Sequence, residues 1–235
     1  MSDAAARIGD NLAAVRERMS LAAARAGRSP SEARLVAVTK YVSAEVTRQL
    51  VEAGCHDLGE SRAQDLWAKA ESLKDLDIRW HLIGHLQRNK VARCLPLASL
   101  IHSCDSPRLA DELAAEAEKR GLARPAVLIE VNVSRDANKH GFPIDLVEPA
   151  LADILSRGAL DVRGLMCMAA LDGGADVARR NFHDLRTLRD RLRTRFGPTA
   201  PLDELSMGMS GDFEIAIEEG ATMVRVGSAL FEGVG

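Results

Sequence analysis

From position 34 onward, short apolar runs alternate with longer segments whose apolar residues recur every three or four positions. Eight runs read as strands: RLVAVTK (34–40), HDLGES (56–61), IRWHLIG (78–84), SLIHSCD (99–105), AVLIEVNV (126–133), DVRGLMCMA (161–169), DELSMGM (203–209) and TMVRVG (222–227). Several are almost continuous in Val, Leu and Ile, as in strands covered on both faces. The intervening segments carry helix punctuation. Ser43 is placed to cap the first of them, with Val46 and Leu50 inward and Gly54 at its exit. Ser106-Pro107 opens another, with proline at the first helical position, and Gly121 closes it. A long helix over about 176–196 buries Phe182, Leu185, Leu188 and Leu192 and stops at Gly197-Pro198. Pro149 interrupts FPIDLVEPALADIL, which predicts a short turn and then a helix starting near that proline. Ahead of all this, Ile8, Leu12, Val15 and Met19 form one stripe of a leading helix ended by Gly27 and Pro30.

Eight strand–helix units without a Ser/Pro/Gly-rich linker predict an α/β chain folded as a single (β/α)8 TIM-type barrel. Residues 1–28 form an extra helix packing on it, and 1–235 read as one domain. An open doubly wound sheet is the competing fold, weakened because no GxGxxG follows the first strand. Composition adds limits. With 46% hydrophobic and 28% charged residues the chain is ordinary globular material, and a net charge of −3 gives no general attraction to nucleic acid or anionic membrane. Cys55, Cys94, Cys104 and Cys167 form no CxxC pair and no zinc-type cluster, so they read as free thiols in a reducing, cytoplasmic setting. The first residues lack the apolar core of a secretory signal, and no apolar run approaches the ~20 residues that span a bilayer. With 3% aromatic residues no self-association patch is evident, and a monomer is expected.

A barrel of this kind works at the C-terminal ends of its strands, and phosphate often sits after the seventh and eighth. After the seventh strand comes SMGMSGDFEIAIEEG, where Gly208 and Gly211 permit close approach and Ser206 and Ser210 offer hydroxyls ahead of a helix start near Asp212. After the eighth, Gly227 and Ser228 open a last short helix. Lys40 ends the first strand, which neighbours the eighth in a closed barrel, so amine and phosphate cradle are expected at one mouth. Such a lysine either neutralises phosphate or forms a Schiff base; the latter needs the neutral amine, which partial burial or a nearby cation such as Arg225 would favour.

The set LVAVTK, LGESRAQD, WHLIGHLQRNK, VLIEVNVSRDANKHG, RGLMCM and LSMGMSGDFEIAIEEGATMVRVGSALFEG resembles the pyridoxal phosphate homeostasis protein family over about 35–231. The resemblance implies a barrel similar to the N-terminal domain of alanine racemases, with pyridoxal 5′-phosphate (PLP) held as a Schiff base. It implies the Schiff-base lysine at Lys40, a phosphate serine at Ser210 (with Ser206 second), a terminal glycine–hydroxyl pair at Gly227 and Ser228, and a pyridine-facing arginine at Arg225. Where the family commonly has Gly-Glu-Asn, this chain has Gly59-Glu60-Ser61; Ser61 is shorter and has no amide, and it stays in the expected cofactor set. An always-charged arginine opposes protonation of the ring nitrogen and so makes the ring a weaker electron sink, while exchange of one amine for another on the aldehyde carbon stays open.

A racemase needs a base on each face of the substrate carbon. Lys40 offers one; the other usually comes from a second domain, which is expected to be missing because the chain ends about eight residues after the last strand. Tyr41 is the one tyrosine, and as a neighbour of Lys40 in extended chain it is expected to point away and pack against the first helix. A non-catalytic PLP carrier that serves apo PLP-dependent enzymes is therefore the leading expectation. A racemase-like enzyme is the alternative, and an aldolase-like barrel without PLP a third. Of the remaining residues, His81, beside Trp80, reads as a hydrogen-bonded core histidine, Met166 and Met168 as buried filling, and Lys139 as a solvated loop lysine. Gln87, Asn89, Lys90 and Asn132 stand on the active side, and the arginines of ARRNFHDLRTLRDRLRTR form a wet outer face.

Overall fold

The computed structural model describes residues 3–136, 138–170 and 172–234. Each apolar run forms its strand, and each strand stops one to three residues before its run does. They are β1 (Arg34–Val38), β2 (Asp57–Glu60), β3 (Arg79–Leu82), β4 (Ala98–Cys104), β5 (Ala126–Asn132), β7 (Asp161–Met166), β8 (Glu204–Ser206) and β9 (Met223–Val226). The trimmed ends become turns, and the candidate chemistry lies in them. A further two-residue strand, β6 (Phe142–Pro143), pairs with β5 and has no apolar run to announce it.

Hydrogen-bonded neighbours run β4-β3-β2-β1-β9-β8-β7-β5, and β4 pairs with β5 to close the circle. All these pairs are parallel. The sheet is thus a closed barrel, as predicted, and the open doubly wound alternative fails at the β4–β5 seam. Closure puts β1 beside β9, with Val36 opposite Arg225.

The helices are α1 (Asp3–Arg25), α2 (Ala44–Glu52), α3 (Ala63–Ser72), α4 (Val91–Cys94), α5 (Pro107–Lys119), α6 (Val147–Arg157), α7 (Gly174–Phe196) and α8 (Phe213–Glu218). Ser43 accepts the Val46 N–H at 3.3 Å and Ser106 the Leu109 N–H at 3.4 Å, so both predicted caps form. Pro149 sits in the first turn of α6, where its missing N–H leaves no bond unmade.

Two apolar layers follow from strand alternation. Residues such as Ala37, Leu58, Leu82, Ile129 and Leu205 face outward under the helices. Val36, Leu100, Leu128, Met166 and Met223 form a separate small cluster inside the barrel. That inner cluster does not fill the barrel, and buried polar groups take the rest. α1 lays Ile8, Leu12, Val15 and Met19 on the barrel, and Asn11 Nδ2 donates to the carbonyls of Leu230 (3.1 Å) and Glu232 (3.0 Å), which ties the two ends of the chain together.

Candidate functional site

The turns after β1, β8 and β9 open onto one cavity of about 650 Å³ at the C-terminal face of the barrel. Lys40, Ser61, Glu130, Ser210, Arg225 and Ser228 line it.

Lys40 is launched from a buried anchor. Thr39 is fully buried; its N–H reaches Gly59 O at 3.1 Å and its Oγ1 donates to Glu60 Oε1 at 2.6 Å. Lys69 Nζ, from α3, donates to both Thr39 O (2.5 Å) and Glu60 Oε1 (2.6 Å). Glu60 is completely buried and its second oxygen has no hydrogen-bond partner among the described residues, so this ion pair is held by geometry rather than by solvent. Gly84 lets the β2 and β3 turns meet: a Cβ there would lie 2.3 Å from Ser61 O.

The opposite wall is built by the turn after β8. Met209 N–H donates to Asp212 Oδ1 (2.5 Å) and Phe213 N–H to Met209 O (2.9 Å), leaving Ser210 and Gly211 at the tip. Gly208, at φ +91°, makes the bend possible, and a Cβ on it would fall 2.5 Å from that of Ala216. Gly227 N–H donates to Ser210 Oγ at 3.1 Å, which joins this turn to the one after β9.

Arg225 closes the floor. Its guanidinium donates to Ser206 Oγ (2.5 Å) and to Cys167 O (2.8 Å), and burial lowers its pKa from the usual value. Beyond it stands Glu130, a buried carboxyl whose pKa burial and the neighbouring Asp105 push up to about 7 against the opposing charges of Arg225 and His85. At the rim, His85 and His140 stack with centroids 4.1 Å apart, and both turn Nδ1 toward Asp105 Oδ2, at 2.6 and 3.7 Å. These three donors lie within 4.8 Å of one another, but the rings are nearly parallel (11°), so no single cation lies in both ring planes unless they splay.

Of the sequence-predicted residues, Lys40, Ser61, Ser210, Arg225, Gly227 and Ser228 come together here. Ser206 does not line the cavity: it is fully buried under Arg225 and bonds to His102 Nδ1 (2.8 Å), so it is not available to a phosphate. Lys40 is exposed rather than partly buried. Tyr41 does not pack on α1. It is 86% exposed with its ring 4.8 Å from Lys40 Nζ, because the chain past β1 is already turning and the alternation of an extended strand no longer applies. Lys139 is a tether, not a solvated lysine: Nζ donates to Ala169 O at 2.8 Å. Asn132 donates to Asp136 O and braces the same loop. Gln87, Asn89 and Lys90 lie in or beside a short turn away from the cavity, Met168 lines it, and Met166 fills the barrel. The arginines of α7 face outward, several in ion pairs such as Arg179 with Glu218 and Glu219. Glu130, His85, Asp105 and His102 are site residues that the sequence patterns do not mark, although Glu130 is the one charged residue of β5.

Residues 11–233 match the family model described as alanine racemase, N-terminal domain. A pyridoxal phosphate homeostasis protein of Aquifex aeolicus is 41% identical over 222 residues, covering 94% of this chain and 96% of that one. The chain belongs to the pyridoxal phosphate homeostasis protein family. Among solved structures, one described as an unknown protein from Bifidobacterium adolescentis superposes with a TM-score of 0.93 at 36% identity, over 98% of this chain and 97% of that one. PipY of Synechococcus elongatus, solved with PLP bound, gives a TM-score of 0.84 at 35% identity over 95% and 99% of the two chains. Family membership therefore agrees with the barrel. Among the described residues, no helix is long and apolar enough to cross a membrane.

Proposed function

We propose that this chain is a PLP-binding barrel, 1–235 acting as one unit, that stores and hands over the cofactor in the cytoplasm without robust catalysis of its own. The single observation that carries the proposal is the shared cavity: the amine of Lys40 and the Ser210–Gly227–Ser228 cradle face one space of about 650 Å³, within the range of small-molecule sites. The fit rests on the donor set. Gly227 and Ser228 start a helical turn, Ser210 adds a hydroxyl, and Gly211 leaves open space where a Cβ would stand, which suits a phosphate monoester. When bound, PLP supplies an aldehyde carbon with which an amine condenses, and Lys40 Nζ is the amine assigned to it.

The chain's own residues do the rest. Thr39, Glu60 and Lys69 fix the point from which Lys40 reaches. Arg225 brings a permanent charge to the floor, which opposes protonation of a ring nitrogen placed on it and so restrains carbanion chemistry. Ser61 lines the wall without the reach of an asparagine. The family name of the Aquifex relative and the PLP in PipY point the same way.

A racemase-like activity is the second reading, and Glu130 favours it: a carboxyl with a pKa near neutrality in the same cavity as Lys40 is a usable acid or base. One experiment separates the two. PLP-loaded protein is incubated with D- and L-amino acids in deuterated water, and in parallel with an apo PLP-dependent enzyme. A carrier restores the apo-enzyme and incorporates deuterium at Cα no faster than free PLP. Deuterium entry well above free PLP, lost in Lys40→Ala, establishes the enzyme instead.

A further inference from the structure

A file of buried polar side chains crosses the inside of the barrel from Arg225 at the cavity floor to the opposite end. Arg225 Nη1 lies 2.5 Å from Ser206 Oγ, Ser206 Oγ 2.8 Å from His102 Nδ1, His102 Nε2 2.9 Å from His81 Nδ1, and His81 Nε2 3.0 Å from Asp57 Oδ1. Asp57 starts β2 at the N-terminal end, where Arg79 grips it at 2.9 and 2.6 Å. These residues come from β9, β8, β4, β3 and β2, and all five are at most 8% exposed. The pair of histidines meets edge to face.

The two ends of this file have opposite and fixed roles. A guanidinium only donates, and an ionised carboxylate only accepts. Burial opposes ionisation of Asp57, but the bonds from His81 and Arg79 outweigh it and hold the carboxyl below its usual range. His81 must then carry its proton on Nε2. If the ring is neutral, Nδ1 accepts, so His102 must carry its proton on Nε2 as well. His102 is held neutral by burial above all, with the Arg225 charge acting the same way, which leaves its Nδ1 to accept from Ser206. The serine hydroxyl has one proton, and it goes to His102 while the oxygen accepts from Arg225. Every donor therefore points the same way. Reversing any one ring forces a donor against a donor or leaves a buried hydroxyl proton unpaired, which buried polar groups avoid.

We propose that Ser206, His102, His81 and Asp57 form a one-way hydrogen-bond relay that positions the Arg225 guanidinium and links the cofactor floor to the Asp57–Arg79 ion pair at the far end of the barrel. The proposal rests on Arg225 facing the PLP ring, as inferred above, and assigns the four residues a positioning role, not a catalytic one. It also accounts for Ser206, which the cradle does not use, and for two histidines in a space that apolar residues would otherwise fill.

Two arms test it. In the apo-protein labelled with nitrogen-15, the ring signals of His81 and His102, assigned from His81→Gln and His102→Gln, should both show a protonated Nε2 and a bare Nδ1 near neutral pH. A protonated Nδ1 on either ring, or a doubly protonated ring, overturns the relay. In the PLP-loaded protein, Asp57→Asn should move the pH midpoint of the bound-PLP absorption band by about half a unit or more and weaken PLP about threefold or more. His56→Ala, in the same lower cleft but outside the relay, should match the parent. Ser206→Ala breaks the upper joint, should give the same displacement, and decides the matter if Asp57→Asn does not fold. Loaded protein whose band is indifferent to both substitutions refutes the coupling. If PLP never attaches at Lys40, the cavity assignment fails, while the apo-protein arm still tells whether the relay exists.

Discussion

The Gly227 N–H and the Ser210 hydroxyl oxygen meet at 3.1 Å, and that bond joins the turns after two neighbouring strands into a single wall. Neither residue is unusual in the sequence. Closure of the barrel makes them a pair, and the same closure sets β1 beside β9, so that Lys40, just past β1, comes next to Gly227, just past β9. The cavity's chemistry is a consequence of that circle.

The wall is expected to hold the anion of the cofactor. Ser210→Ala removes the hydroxyl proposed to donate to the phosphate, and one hydrogen bond to a charged group is worth about 1.5–3 kcal/mol, so PLP affinity should fall about tenfold or more. Gly227→Ala puts a Cβ 3.2 Å from Val38 O, which pushes the two turns apart, and should weaken PLP as well. Equilibrium titration by PLP absorbance reads both; affinities equal to the parent would place the phosphate elsewhere.

The β1 anchor should dominate local stability. Lys69→Met leaves the fully buried Glu60 with its charge unanswered, a class of change that costs about 3–5 kcal/mol. For a chain of this size that is a fall in melting temperature of roughly 6–20 °C. Thermal unfolding of the apo-protein measures it, and a fall of only a degree or two would mean Glu60 is not the charged partner described.

The pH dependence of Glu130 has a defined sign. Its folded pKa, about 7, lies above the ordinary glutamate value of 4.5, so its contribution to stability is complete below about 4.5 and is lost as pH rises through about 7. Glu130→Gln removes that loss. The variant should match the parent near pH 4.5 and exceed it at pH 8, by an amount on the order of 1–3 kcal/mol. Asp105, His85, His140 and Arg225 surround the same space, so the comparison is made between the two proteins at each pH by denaturant unfolding. A difference that grows toward acid pH would contradict the assignment.

Much of this fold is legible in the sequence alone. Continuous apolar runs such as AVLIEV mark strands covered on both sides, and Ser43 and Ser106-Pro107 mark helix starts, because those signals act over a few residues. Lys40, Ser210, Arg225, Gly227 and Ser228 were legible because each sits at the end of a predicted strand or just beyond it, where a barrel keeps its chemistry. The failures have a common physical cause. Ser206 and Ser210 are equivalent in the sequence; only the inward alternation of β8 puts one hydroxyl beneath Arg225 and leaves the other at a turn. Extended geometry would point Tyr41 away from Lys40, but the segment after β1 turns. Glu130 and His102 sit in mostly apolar strands, and the groups they meet come from segments remote in sequence. The two-residue β6 depends on its neighbour β5 for its existence, not on its own residues.

The central claim is that Lys40 is the amine that meets the cofactor in this cavity. Borohydride reduction of the PLP-loaded protein, followed by peptide mass mapping, tests it most directly. A phosphopyridoxyl adduct on the peptide carrying Lys40, absent in Lys40→Ala, is the predicted result. An adduct confined to Lys90 or Lys139, or no adduct on any lysine, would contradict it.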